Sequence, residues 1–167
     1  MRKILLSEQA IYHGDIKMPE GWEIDRNHLS GYILQSNIRD SEFLFSRTWD
    51  KLNSYLVEHI RLKYKIKLVS KKTWGNIYKP TETTEPLLNI DPVDLKNAPD
   101  YIVLYGVLVK DCMVHIHYDD NRRKGRLWNI PLSNNSFVMF PSTNLYHLSN
   151  KQSDSLNFVQ TITYEFI

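Results

Sequence analysis

His117, Asp119 and His147 are the residues of this 167-residue chain best suited to do chemistry together. Two histidines and one carboxylate can hold Fe(II) on one face and leave open positions for oxygen and a co-substrate, the arrangement of non-haem iron oxygenases. The local sequence argues against that use. Asp119-Asp-Asn-Arg-Arg-Lys-Gly125 reads as a hairpin turn between the strand-like runs Val114–Tyr118 and Arg126–Leu132. Within Val114–Tyr118, Val114, Ile116 and Tyr118 share one face, which places His115 and His117 on the other. The hairpin therefore predicts that both histidines face outward to solvent. It also predicts that His117 lies too far from His147 to share a metal at the roughly 2.0–2.2 Å bonds that histidines make.

A second set uses His115, His117 and His147 in the manner of cupins, which pair a His-x-His strand with a downstream Pro-x-Gly-x-x-His. Here Pro141-Ser-Thr-Asn-Leu-Tyr-His147 lacks the glycine and is one residue too long, and no glutamate follows His117 at the cupin offset. The basic residues Arg122, Arg123, Lys124 and Arg126, and the run Arg61, Lys63, Lys65, Lys67, Lys71 and Lys72, could touch phosphates. They read more simply as a solvated hairpin tip and a lysine-protected edge strand. No Gly-rich phosphate loop or Gly-x-Ser-x-Gly elbow occurs, and Cys112 has no activating histidine in register.

The elements that would position these groups are mostly strands. Tyr101–Val109, Val114–Tyr118, Leu127–Leu132, Ser136–Pro141, Leu145–Leu148 and Leu156–Tyr164 are short runs rich in Val, Ile, Phe, Tyr and Thr, separated by Asn, Asp, Ser or Gly. The spacing predicts antiparallel strands over 101–110, 113–119, 126–132, 136–141 and 156–166. Ahead of them, Lys3–Leu6 reads as a short strand and Asp25–Gln35 as a short capped helix. A longer helix runs from about Arg47 to Leu62, with Phe45, Trp49, Leu52, Leu56 and Ile60 on one stripe. Lys65–Val69 and Thr73–Lys79 read as two further strands. Residues 80–100 form a long irregular stretch with four prolines and five acids, the kind of loop that carries function or replaces lost structure.

The chain length predicts one domain, 1–167, divided into a helical and strand portion (1–72) and a barrel portion (73–167). The fold class expected is α+β, mainly β: a double-stranded β-helix or jelly roll, a cupin-like barrel, with N-terminal helices backing one sheet. A net charge of +2 favours no nucleic acid, and the apolar run at the start ends at Leu6, too short for a signal core or a membrane span. The single cysteine excludes an internal disulfide and suits a reducing cytoplasm. A small-molecule or protein partner and a homo-oligomer are both compatible with this composition.

Trp74-Gly-Asn-Ile-Tyr-Lys-Pro80, Asp100-Tyr-Ile-Val-Leu-Tyr-Gly106, Asn129–Ser142 and His147 together resemble a known family. They are similar to the 2-oxoglutarate/Fe(II) oxygenases of T4-like cyanophages and marine bacteria. The resemblance spans residues 74–166 and implies a double-stranded β-helix, Fe(II) and 2-oxoglutarate as cofactors, and a host cytoplasm for a phage-encoded copy. It implies His147 as the distal metal ligand and a first ligand pair within Glu85–Asp91. The best register puts Leu87 and Asn89 there, with Asp91 as the tentative ligand. Leucine cannot bind a metal, asparagine is a poor iron ligand, and no Lys or Arg follows Lys151 to grip 2-oxoglutarate. Two readings therefore stand: an oxygenase using Asp91 and His147, or a module of the same fold that binds no cofactor and serves ligand binding or assembly. Arg126 and Lys79 are the cations that could replace the absent arginine.

Overall fold

The computed structural model describes residues 1–4, 9–39, 47–88, 90, 93–118 and 125–167. The expectations for Phe45, Asn89, Asp91, Asp119 and the turn 119–124 lie outside the described residues. In chain order the elements are β1 (Tyr12–Asp15), α1 (Arg26–Arg39), α2 (Arg47–Tyr64), β2 (Leu68–Tyr78), a 3-10 turn (Leu95–Asn97), β3 (Tyr101–Leu108), β4 (Cys112–Tyr118), β5 (Arg126–Leu132), β6 (Ser136–Pro141), β7 (Tyr146–Asn150) and β8 (Asn157–Phe166). They build a five-stranded sheet, β1-β6-β3-β8-β2, facing a three-stranded sheet, β5-β4-β7, with every ladder antiparallel.

Local chemistry explains the helices. Asp25 caps α1, its Oδ1 accepting from the His28 N–H at 3.0 Å and its carbonyl from Leu29 N–H at 3.1 Å. In α2 the apolar stripe is realised, since Trp49, Leu52, Leu56 and Ile60 are all buried. Lys65 ends α2 in the left-handed region (φ 61°) while its N–H still reaches Arg61 O.

The larger sheet separates two hydrophobic clusters. On its outer face Leu29, Ile33, Leu52, Leu56 and Ile60 pack against Val103, Tyr105, Phe137, Ile162 and Tyr164, so the helices back this sheet as expected. Between the sheets Ile102, Leu104, Val138, Phe140 and Val159 meet Val114, Ile116, Ile130, Tyr146 and Leu148. Gly75 lets α1 sit down on β2: a Cβ there would meet Ile33 Cγ1 at 2.4 Å.

Three expectations need correction. Lys65–Val69 and Thr73–Lys79 are not two strands; one strand, β2, runs through, because a bulge between Ser70 and Lys72 absorbs the irregularity without breaking the ladder to β8. Lys3 and Ile4 belong to no strand; Tyr12–Asp15 instead covers the edge of β6. The stretch 80–100 is partly ordered on the smaller sheet, through bridges from Thr83 to Ser149 and Leu87 to Tyr146. β2 is one edge strand of the larger sheet, and its Lys71 pairs with Glu165 at 2.8 Å. No helix among the described residues is long and apolar enough to cross a membrane.

Candidate functional site

Strand alternation assigns each histidine to a side. In β4, Cys112, Val114 and Ile116 point into the inter-sheet cluster, so His115 and His117 point outward. In β7, Tyr146 and Leu148 point inward and His147 outward. The outward orientation of His115 and His117 is as predicted. Their separation from His147 is not. His115 lies directly opposite His147 in the ladder, and His117 reaches it along the diagonal. His117 Nε2 and His147 Nδ1 are 2.8 Å apart, and the His115 and His147 rings stack at 4.3 Å with 18° between planes. The expected distance failed because the lateral pairing of β4 with β7 cannot be read from either strand alone.

The cluster is tied down from both sides. His115 Nδ1 contacts Asn129 Oδ1 at 2.6 Å on β5, and its Nε2 contacts Ser149 Oγ at 2.8 Å on β7. Burial, and then the neighbouring His115 and His117, hold His147 below the ordinary imidazole pKa, against the opposing pull of the Glu85 carboxylate.

Fe(II) and 2-oxoglutarate can be tested against the space between the sheets. That space is filled by aliphatic and aromatic side chains. Cys112, the thiol facing it, is pushed up to about 12 by burial, and burial raises the Tyr78 hydroxyl further still. Both groups stay protonated and are poor ligands at neutral pH. Leu87, at the position where the resemblance implies a ligand, pairs with Tyr146 and carries only hydrocarbon. His147, the implied distal ligand, faces away from this space. Among the described residues no three His, Cys, Asp or Glu side chains gather to hold a metal. The described residues that face this space do not fit an Fe(II) centre.

Of several openings at the margins of the barrel, two set a cation beside a tryptophan. One, of about 550 Å³, lies beside β5 and is walled by Ile11, Ile116, Trp128, Ile130, Pro131 and Pro141, with Arg126, His13, Asn129 and Asn144 as its polar groups. Trp128 is half exposed there, and the buried Asn144 Oδ1 has no hydrogen-bond partner. The other, of about 480 Å³, is lined by Lys71, Lys72, Trp74, Leu88, Asp94 and Thr163 among others. Lys71 is engaged by Glu165 and by the Asn97 carbonyl, leaving Lys72 beside Thr163. Of the cations expected as substitutes, Arg126 lines the first opening and Lys79 is an exposed residue after β2. The β2–β8 register sets Lys72 across from Thr163, a placement that the sequence alone does not show.

No protein-family model matches the chain, and no curated protein matches it. Solved structures match over nearly its whole length. A prolyl-4-hydroxylase from Pseudomonas putida superposes with a TM-score of 0.65 at 10% identity, covering 94% of this chain and 88% of that one. The viral collagen prolyl hydroxylase of Paramecium Bursaria Chlorella virus-1 gives 0.62 at 10% identity, covering 92% and 94%. The non-haem α-ketoglutarate-dependent epimerase SnoN of nogalamycin biosynthesis gives 0.62 at 8% identity, covering 93% and 77%. The fold is the double-stranded β-helix seen in 2-oxoglutarate/Fe(II) oxygenases.

Proposed function

We propose that this chain is a binding module built on the oxygenase fold, without Fe(II)/2-oxoglutarate catalysis between its sheets. The observation that carries the reading is the apolar filling of the inter-sheet space together with the open cleft beside β5. A concave apolar site with a few convergent polar groups is what small-molecule recognition uses. Trp128 offers a flat wall for an aromatic or apolar body, and Arg126 offers a cation for an acidic group. The ligand class is therefore an apolar or aromatic acid. The lone buried Cys112 suits action in a reducing compartment such as the cytoplasm.

The aromatic sulfonate 1-anilinonaphthalene-8-sulfonate is a suitable probe. Its fluorescence should rise on saturable binding, and Trp128→Ala and Arg126→Ala should each weaken that binding. Equal binding by both variants would remove the cleft from the reading. In parallel, calorimetric titration of 2-oxoglutarate with Mn(II) present should show no saturable heat.

One observation favours a second reading, the 2.8 Å approach of His117 to His147. On it, His117 and His147, which face outward from the smaller sheet, hold a metal for an oxygenase that takes its carboxylate from Asp119; Asp91 with His147 is the other ligand set that the resemblance implies. Micromolar 2-oxoglutarate affinity that disappears in His147→Ala would establish the enzyme and refute the binding module.

A further inference from the structure

We propose that the outward face of the β5-β4-β7 sheet binds one divalent metal ion of the imidazole-preferring kind, Zn2+ or Ni2+, between His117 Nε2 and His147 Nδ1. This goes beyond the ligand-binding reading and does not rest on it; it shares His117 and His147 with the second reading but needs neither a carboxylate ligand nor 2-oxoglutarate. Imidazole nitrogen suits both ions. The two nitrogens already point at one another 2.8 Å apart, from rings tilted by 56°. On one tetrahedral ion, with bonds of about 2.0–2.1 Å, two such nitrogens stand roughly 3.4 Å apart. The gap must therefore open by about 0.6 Å and each lone pair turn by roughly 35° from the N···N line to meet the ion, a change taken up mainly by the broad terminal torsion of His117.

The exchange balances without loss of a proton. One of the facing nitrogens now carries the hydrogen of the N–H···N contact. On metal binding that hydrogen moves to the far nitrogen of the same ring, and both facing nitrogens present lone pairs. His115 orients the site: stacked on His147 and fixed by Asn129 and Ser149, it restricts the plane in which His147 can lie. With no third donor gathered among the described residues, water completes the coordination.

The test is isothermal titration of the untagged full chain with ZnCl2 in a non-chelating buffer, with circular dichroism to verify that each variant is folded. One saturable site is expected. His117→Ala and His147→Ala should each weaken it by at least about tenfold, the loss that even an outer-shell substitution brings. His28→Ala should leave it unchanged. Absence of saturable binding, or unchanged affinity in both His117→Ala and His147→Ala, overturns the proposal. Should the alanine variants misfold, ring 15N spectra of the wild-type chain decide: zinc must displace the His117 and His147 signals, and displacement of other histidines alone refutes the site.

Discussion

Replacing Gly75 by alanine tests how α1 is seated on the larger sheet. An added Cβ would meet Ile33 Cγ1 at 2.4 Å, Cγ2 at 2.7 Å and Cβ at 2.9 Å, all closer than real Cβ contacts allow. Ile33 has no exposed surface into which it could retreat. Overpacking of a filled core costs about 1–3 kcal/mol, and three simultaneous overlaps place Gly75→Ala at the upper end. Ile33→Ala alone should cost about 2–5 kcal/mol through lost burial and a cavity. It also deletes two of the three offending atoms, leaving only the Cβ contact. In that background Gly75→Ala should cost less than about 1 kcal/mol, so the double-mutant cycle should show a coupling of about 1.5 kcal/mol or more. Urea unfolding of the four proteins, compared through midpoint and slope, measures it. Additivity within about 0.5 kcal/mol would refute the contact and with it the seating of α1 on β2.

Protonation should destabilise the fold. His59 is held below its ordinary value by burial and then by Lys63, and His147 by burial and the neighbouring imidazoles. The unfolded chain, with imidazoles near 6.5, then binds more protons just below that pH. Stability is therefore complete above about 6.5 and is lost as pH falls toward the folded-state values. Melting temperature should drop between about pH 7 and pH 5, and an identical drop in His59→Gln would sink the assignment to His59. Cys112, buried and with its thiol pushed up to about 12, should resist Ellman's reagent at about pH 8 and react only after denaturation; rapid modification of native protein would contradict the burial. Asn150 Nδ2 donates to the carbonyls of Tyr78, Lys79 and Ser155, and its Oδ1 accepts from Gln152 N–H. Asn150→Leu should therefore cost at least about 3 kcal/mol in urea melts, and a loss below about 1 kcal/mol would show that water replaces the amide.

Strand identity was legible because the alternating run Val114–Tyr118 and the continuous apolar run Ser136–Pro141 carry their own signal. The outward side of His115 and His117 followed from the same alternation. The stripe Trp49, Leu52, Leu56 and Ile60 was equally plain, since a helix reports its buried face at fixed spacing. Lateral partners were not legible. The contact between His117 and His147, the cleft formed where Ile11 meets Trp128, and the place of Lys72 beside Thr163 all depend on which strands pair, a property of two segments at once. Tyr12–Asp15 was missed for a related reason: four residues containing Gly14 and Asp15 carry little strand propensity, and the ladder to β6 supplies the order.

The place of β8 between β3 and β2 governs the order in which a ribosome can hand this molecule over to folding. Leu68 pairs with Phe166 and Tyr78 with Asn157, so β2 leaves the exit tunnel long before its ladder partner β8 exists. Helices α1 and α2 emerge earlier still, with Leu29, Ile33, Trp49 and Leu56 exposed until the sheet they cover has assembled. At the usual 5–20 residues per second, the roughly 90 residues between the paired strands impose a wait of about 4–18 s. During that wait an unpaired strand and an apolar helical stripe are open to other chains. The nascent protein thus carries exposed apolar surface for seconds by topology, whatever its final stability.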